Sequence, residues 1–293
     1  MKLSFTTIDV FTTTRYAGNP LAIIEVPAEY KTSLTQEQKQ KIAAEFNLSE
    51  TTFLHLPPAG ETHAEPVVDI FTTTSELPFA GHPTIGTAHY LLYTRKDPIT
   101  ALTLKAGRFP ITNDTGTGIV KADVAHDFHV HEKVFECELA TSPAKYVSIV
   151  KGMSFILAAL PDLAALAKVD TTLSPMYDTR YQDKGWQIGL TGSMYFVSQG
   201  QDELGRKKYR TRMLVAEEDP GTGSASCALA CWLALQEPKD SGKGPFKYAF
   251  TQGVEMGRQN DISLEVTRKD EANIESVVLS GTAVNVMQGT LEI

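Results

Sequence analysis

The chain has 293 residues, of which 42% are hydrophobic and 21% charged, and its formal net charge is -8. This composition is typical of a globular protein with one large or two medium domains, and it argues against long disordered stretches. The acidic balance disfavours nucleic acid as the main partner, whereas a small anionic substrate stays compatible with it because backbone N–H groups can bind anions locally.

The cysteines and the amino-terminal segment predict the cellular compartment. Cys137, Cys227 and Cys231 are odd in number and lack periodic spacing, so no disulfide framework is expected. The first residues, MKLSFTTIDVFTTTRYAGNP, favour a strand over a signal peptide. No stretch of about eighteen apolar residues suggests a transmembrane helix. We therefore expect a cytoplasmic protein with neither a membrane nor a nucleic-acid partner.

The first half of the chain begins with strands and then alternates strands with helices. Predicted strands are LSFTTIDVFT, NPLAIIEV, Ser49 to Leu56 and Val67 to Thr72. Thr35 and Gln38 form the pattern of a capping box, so QEQKQKIAAEF is predicted to be an amphipathic helix. TIGTAHYLLYT, after His82, is a second predicted helix.

The second half repeats this order loosely. QIGLTGSMYFVS, RTRMLVA, KYAFTQG, DISLEVTR, SVVLSGTAV and GTLEI are predicted strands, and SASCALACWLALQ is a predicted helix. The polar stretch from about Asp123 to Pro143 is the predicted crossover between the halves.

Two short stretches resemble each other, and each leads into an apolar helix. SELPFAGHPTIGTAHYLL begins at Ser75 and EEDPGTGSASCALACWL begins at Glu217. A helix that is apolar all round is buried all round. Two buried helices surrounded by strands predict two similar domains that arose by internal duplication.

The repeated stretch places glycines and a hydroxyl residue directly before each helix. Glycine permits close backbone approach, and the first helical turn leaves N–H groups unpaired. Two such ends could bind an anion such as a carboxylate. The alternative is that Thr84 and Ser224 only cap their helices.

Three ionisable residues near these stretches are candidates for chemistry. Glu50 enters a strand that turns apolar, and a desolvated glutamate has a raised pKa suited to proton transfer near neutral pH. His82 lies in a rigid turn between Gly81 and Pro83. Asp219 precedes Pro220 and could equally be a solvated turn residue.

The motifs DVFT…GNPLAI, LSETTFL, ELPFAGHPTIGTA and EDPGTGSA resemble, in this order, those of the PhzF-like, phenazine-biosynthesis-type isomerases. The resemblance runs from Ile8 to the closing GTLEI. It implies an α+β fold like that of diaminopimelate epimerase. This fold has two pseudo-symmetric domains, each a curved, mostly antiparallel or mixed sheet wrapped around a central buried helix. We expect domains at residues 1–125 and 126–293, with the last strand packing back on the first domain, an active site between them, and a homodimer.

The resemblance also implies roles for individual residues. Glu50 would be the general acid/base, and His82 and Asp219 would assist proton movement and orient the substrate. A small carboxylate would be bound by the following residues: Gly81, Gly223, Ser224, Asn19 and Thr222. No cofactor and no metal are implied. The epimerases of this fold use two cysteines, but the matching positions here are Ala80 and Pro220, which cannot transfer protons.

Other interpretations of the residues stay open beside this one. His126, His129 and His131 with Glu132 could suggest a metal site, but no third or fourth ligand is evident, so exposed crossover residues are expected. GRKKYRTR, from Gly205, is expected to be a solvated hairpin rather than a nucleic-acid patch. Function could be a cofactor-independent isomerase, a racemase or epimerase with non-cysteine bases, or a protein that binds small carboxylates without turnover.

Overall fold

The computed structural model describes residues 2–58, 60, 61 and 65–293 of the chain. The described part of the first half contains eight strands and two α-helices. In chain order they are β1 (Lys2–Val10), β2 (Asn19–Val26), α1 (Gln36–Phe46), β3 (Glu50–His55), β4 (Val68–Phe71), β5 (Glu76–Leu77), α2 (Gly81–His89), β6 (Ala101–Leu104), β7 (Gly107–Asp114) and β8 (Ile119–Asp123). A π-helical stretch, Tyr90–Arg95, continues α2.

The second half is also mostly strand. Its elements are β9 (His129–Phe135), β10 (Ala144–Val150), β11 (Gly152–Ala159), α3 (Leu163–Leu166), β12 (Gly189–Gln201), β13 (Lys207–Leu214), β14 (Glu218–Asp219), α4 (Gly223–Leu235), β15 (Phe246–Gln252), β16 (Asn260–Arg268), β17 (Ile274–Gly281) and β18 (Ala283–Glu292). The fold is therefore α+β, as predicted.

The chain forms two compact units. The first consists of residues 1–123 and 280–293, and the second of residues 124–279. The domain limits expected from the sequence, at residues 125 and 126, stay a prediction. The described part of the chain contains no helix of the length and apolarity that a membrane crossing requires.

A mixed sheet in the first unit surrounds α2. Its strand order is β18-β1-β2-β3-β4-β5, in which β2 and β3 are parallel and the other neighbouring pairs are antiparallel. Helix α2 contacts β1, β2, β3 and β18, and also β8. Gly86 allows this close approach, because a Cβ there would lie 2.7 Å from Val10 Cγ2 and 2.8 Å from Leu21 Cδ2.

A second mixed sheet in the other unit surrounds α4. Its strands follow the order β17-β16-β15-β13-β12-β11-β10-β9, with β14 paired to β13. The pairs β11–β12 and β13–β15 are parallel. Helix α4 contacts β10, β11, β12, β15 and β16. Its residues from Ala225 to Cys231 are all buried, as the lack of charged residues on the helix predicts.

The duplicated stretches adopt the same local structure. In the first unit the two-residue strand β5 pairs back on β4, and α2 begins five residues after β5 begins. In the second unit β14 pairs back on β13, and α4 begins five residues after β14 begins. Each buried helix is thus entered through the same short hairpin, which confirms the pseudo-symmetry predicted from the sequence.

Strands β6, β7, β8, β10 and β11 were not predicted, and two predicted features differ in the structure. The stretch from Asp123 to Pro143 is not only a polar crossover, because β9 lies within it and pairs with β10. SVVLSGTAV is not one strand, since β17 ends at Gly281 and β18 runs on from Ala283 through the predicted last strand. Strand β18 pairs with β1 along its whole length. The two apolar runs are joined only by Ser, Gly and Thr and look continuous in the sequence. The break between β17 and β18 could therefore not be predicted from local residues.

Candidate functional site

Glu50 and His82 come together at one edge of the sheet in the first unit. Glu50 Oε2 lies 3.5 Å from His82 Nδ1, and the Glu50 and His82 side chains are 17% and 5% exposed. Asn19 Nδ2 lies 3.4 Å from the same imidazole nitrogen. Ser49 Oγ lies 3.5 Å from Asn19 Oδ1. At 3.4–3.5 Å these contacts are long for hydrogen bonds, so they hold the four side chains together only weakly.

The strand register explains why these residues meet. Strands β2 and β3 are parallel, with Leu21 opposite Glu50, so their amino-terminal ends lie at the same edge of the sheet. Asn19 is the first residue of β2 and Glu50 is the first residue of β3. Helix α2 packs on both strands and begins at Gly81, which brings His82 to this edge.

Burial changes the acidity of Glu50. Desolvation raises the pKa of its carboxyl group from 4.5 to about 7, and the hydrogen bond from Ser49 only partly opposes this. A carboxyl group with this pKa is about half ionised at neutral pH. It can therefore accept a proton from a carbon acid or donate one, as general acid/base chemistry requires.

The start of α2 presents backbone N–H groups beside these side chains. Within the described residues no side chain caps this end of the helix at Ala80. The Thr84 hydroxyl donates to Ala80 O at 2.7 Å, inside the helix, so Thr84 is not its N-cap. Gly81 and His82 therefore belong to a first turn whose N–H groups and partial positive charge suit an anion.

In the second unit, Asp219 braces the loop that leads into α4. Its Oδ1 accepts from the Gly221 N–H at 3.1 Å, and its Oδ2 accepts from the Thr222 hydroxyl at 2.6 Å. Thr222 is the N-cap residue of α4, and within the described chain no side chain caps it. Gly223 and the half-buried Ser224 are the first two residues of the helix. Ser224 is therefore not the N-cap either.

Two buried amides complete this loop, and no local sequence pattern indicates either of them. Gln252 accepts from the Thr222 N–H at 3.2 Å and donates to Asp219 O at 2.7 Å. Asn260 donates to Pro220 O at 2.7 Å. A Cβ at Gly221 would lie 2.3 Å from Asn260 Oδ1, so this position requires glycine. Both amides lie at least 30 residues along the chain from the residues they hold, which is why sequence patterns missed them.

The structure thus groups the predicted site residues in two sets. Asn19, Glu50, Gly81 and His82 lie together in the first unit, and Asp219, Thr222, Gly223 and Ser224 lie together in the second. Cys227 and Cys231 are fully buried in α4, and burial raises the pKa of both thiols. Such thiols are poor proton carriers, in agreement with their predicted packing role.

The histidines predicted to be exposed do not all lie at the surface. His131 is buried in β9, and desolvation together with the charge of His129 lowers the pKa of its imidazole to about 4. Its neighbour Glu132 is exposed. His126 Nδ1 contacts Val124 O at 3.1 Å. The carboxylate beside these histidines belongs to Asp183, which the sequence did not indicate. Asp183 Oδ2 lies 2.7 Å from His129 Nε2.

The basic GRKKYRTR segment is largely neutralised by acidic partners. The ion pairs are Arg206–Asp202, Lys207–Glu237, Arg210–Glu255 and Arg212–Glu218. Most of its positive charge is therefore already paired within the second unit, which leaves little for phosphate groups.

Solved structures of other proteins share this fold. The chain superimposes on a PhzF-family phenazine biosynthesis protein of Bacillus anthracis with a TM-score of 0.76, at 21% identity and with 100% of both chains covered. A hydroxyproline epimerase of Agrobacterium vitis matches with a TM-score of 0.61 at 13% identity, covering 99% of this chain and 92% of that one. The fold is that of PhzF-type and epimerase- or racemase-type proteins.

The family itself is shown by the sequence. The family model for phenazine biosynthesis-like proteins matches residues 8–289, so the chain belongs to this family and the resemblance seen in its motifs is confirmed. It is 31% identical to an uncharacterized isomerase of Pasteurella multocida, with 97% of this chain and 92% of the relative covered. It is 26% identical to the trans-2,3-dihydro-3-hydroxyanthranilate isomerase of Pseudomonas fluorescens, with 98% and 99% covered. By this membership the chain is an isomerase.

Proposed function

We propose that the protein is a cofactor-independent isomerase that moves a proton on a small cyclic carboxylate or amino acid. The observation that supports this most is a buried carboxyl group, Glu50, whose pKa is raised to about 7 and which lies 3.5 Å from His82. A base that must take a proton from carbon and then return it works best when its pKa lies near the ambient pH.

In the proposed reaction, Glu50 carries the transferred proton between two carbons. Its carboxylate form removes a proton from one carbon while the electron pair moves through the conjugated system of the substrate. The protonated carboxyl group then donates to a different carbon, so the product is an isomer and the carboxylate is regenerated. No oxidant, reductant or added group is needed.

His82 and Asn19 are proposed to control the protonation state of Glu50. An amide NH₂ can only donate, so the contact from Asn19 Nδ2 favours an imidazole with its proton on Nε2. Nδ1 of that tautomer has a single lone pair, which accepts either from Asn19 or from protonated Glu50, so replacing the first donor by the second supports the acid form. The 3.5 Å distance between Glu50 Oε2 and His82 Nδ1 is expected to shorten when substrate binds.

The start of each buried helix is proposed to bind an anionic group of the substrate. The N–H groups of Gly81 and His82 lie in the first turn of α2, where the helix dipole is positive. Thr222, Gly223 and Ser224 form the equivalent end of α4, and Asp219 fixes its loop in position. We also propose that the protein is cytoplasmic and that it forms a homodimer, as the sequence predicts.

Incubation of substrates in deuterated water tests this proposal. The substrate of the Pseudomonas relatives, trans-2,3-dihydro-3-hydroxyanthranilate, is the first probe, followed by other small cyclic carboxylates. Deuterium on a carbon distant from the original C–H bond supports the proposed isomerase. Exchange only at the α-carbon would instead indicate an epimerase or racemase. Ligand binding without exchange in any probe would indicate a binding protein.

Glu50→Gln separates chemistry from binding in the same assay. We expect this variant to lose turnover and deuterium exchange by about 100-fold or more, since general acid/base groups contribute 10²–10⁴-fold. Binding of the probe, followed by calorimetry, should stay within a few-fold. Glu45→Gln, on the exposed face of α1, is the matched control and should keep full turnover. Full activity in Glu50→Gln would refute the assigned base.

A further inference from the structure

A cluster of three donor side chains in the second unit has no role in the proposed reaction. His129, His131 and Asp183 each offer one ligand atom, and these atoms all lie within 4.8 Å of one another. Asp183 Oδ2 lies 2.7 Å from His129 Nε2 and 3.7 Å from His131 Nδ1.

The local structure directs both histidines to the same side. They occupy positions i and i+2 of β9, so their side chains share one face of the strand. Asp183 belongs to the irregular segment at residues 167–188, between α3 and β12. The backbone N–H of Glu132 donates to Asp183 Oδ1 at 3.2 Å, which anchors the carboxylate to β9.

A second layer of contacts orients both imidazole rings. His131 Nε2 lies 2.8 Å from Ser148 Oγ, which in turn lies 2.6 Å from Ser154 Oγ. This hydrogen bond holds one nitrogen and directs Nδ1 towards Asp183, as hydrogen bonds behind histidine ligands do in metal sites. The His129 ring is stacked on Trp186, with ring centroids 4.6 Å apart and planes within 10°.

The donor distances are near those that a small divalent ion requires. Tetrahedral Zn²⁺ with bonds of about 2.0–2.1 Å separates its ligands by roughly 3.4 Å. The separations of 2.7 and 3.7 Å from Asp183 Oδ2 lie on either side of this value, and the three ligand atoms, which lie within 4.8 Å of one another, must move closer together to bind one ion. Two nitrogens and one carboxylate oxygen suit Zn²⁺ and its neighbours better than Mg²⁺ or Ca²⁺, which prefer oxygen ligands.

We propose that His129, His131 and Asp183 bind a zinc-class divalent ion that fixes the segment at residues 167–188 to β9. The ion takes the place of the proton that His129 and Asp183 share, and it displaces the 3.2 Å hydrogen bond from the Asp183 N–H to His131 Nδ1. The side chains of His129 and Asp183 are 33% and 26% exposed, so water can occupy the fourth coordination position.

The proposed role of the ion is structural. A connection of this length without long elements of its own is uncommon in a compact domain unless it is functional or held in place. The ion would reinforce the link between this segment and β9 that Asp183 makes with His129 and with the Glu132 N–H. Proton transfer at Glu50 does not depend on it.

Metal titration of the chelator-treated full chain tests the site directly. We expect Zn²⁺ to bind one ion per chain in calorimetry, and Co²⁺ to give the intense visible absorption of a tetrahedral site. Asp183→Asn removes the negative charge of one ligand and His129→Ala removes a ligand altogether, so each should weaken binding by about 100-fold or more. Both side chains are partly exposed, so the variants are expected to fold, which circular dichroism checks. His126→Ala, which alters a neighbouring histidine outside the cluster, should bind as the unmodified chain does.

Hydrogen exchange tests the structural role. Zn²⁺ should slow amide exchange in residues 167–188 of the unmodified chain and leave it unchanged in Asp183→Asn. The proposal is overturned by an absence of stoichiometric binding, by binding that both ligand variants retain, or by binding that does not protect this segment.

Discussion

Replacing Glu50 by glutamine should make the protein more stable as well as inactive, and the gain should depend on pH. Folding raises the pKa of this carboxyl group from 4.5 to about 7. Between these values the folded state binds more protons than the unfolded state, so the free energy of unfolding decreases as pH rises. At about 1.4 kcal/mol per pKa unit, the full cost above pH 7 is about 3 kcal/mol. Glutamine has no charge to desolvate and avoids this cost.

Urea unfolding of the unmodified chain and of Glu50→Gln, at pH values from 4 to 8, measures the effect. The two proteins should have similar stability near pH 4, and the variant should be more stable by about 2–3 kcal/mol at pH 8. Glu45→Gln, at an exposed position of α1, should show no comparable trend. A stability difference that stays constant with pH, or a variant that is less stable at pH 8, would show that Glu50 is not a desolvated acid.

Three further substitutions test the packing that positions the site, each by urea unfolding. Gly86→Ala should cost about 1–3 kcal/mol, because the new methyl group would lie 2.7 Å from Val10 Cγ2. Gly221→Ala should cost a similar amount, since its Cβ would lie 2.3 Å from Asn260 Oδ1. Arg212→Lys should cost about 2–4 kcal/mol, because lysine cannot keep both hydrogen bonds to Glu218 and those to the carbonyls of the α3 region.

Matched substitutions at exposed positions serve as controls for these three. Gly116→Ala introduces a Cβ whose nearest neighbour is Asp114 Oδ1 at 3.4 Å, and Arg180→Lys alters the exposed cation of the Arg180–Asp178 ion pair. Both should change stability by less than about 1 kcal/mol. Control losses as large as those of the buried variants would contradict the proposed packing.

Local patterns in the sequence predicted the elements that depend on local physics. Helix α1 begins with the predicted capping box, in which the Thr35 hydroxyl accepts from the Gln38 N–H at 3.2 Å and the Gln38 side chain accepts from the Thr35 N–H at 2.9 Å. The two apolar helices are buried, as their lack of charge requires. An acidic residue at the start of an apolar strand also predicted that the Glu50 carboxyl group is desolvated, and it is buried in the structure.

Long-range contacts could not be predicted in the same way. Gln252 and Asn260 brace the loop before α4, and Asp183 joins the histidines of β9, yet each lies at least 30 residues along the chain from its partners. Single amides and carboxylates in strands or loops have no periodic pattern. Their roles become visible only once the sheet register brings distant segments together.

The central claim is that Glu50 is a carboxyl group poised to carry a proton near neutral pH. A ¹³C NMR titration of the chain with labelled glutamate side chains, in which Glu50→Gln assigns the signal, measures its pKa directly. We expect a midpoint near pH 7 for the Glu50 carboxyl carbon, as burial requires. A midpoint near 4.5, the value of an ordinary exposed glutamate, would contradict the assignment of Glu50 as the acid/base group.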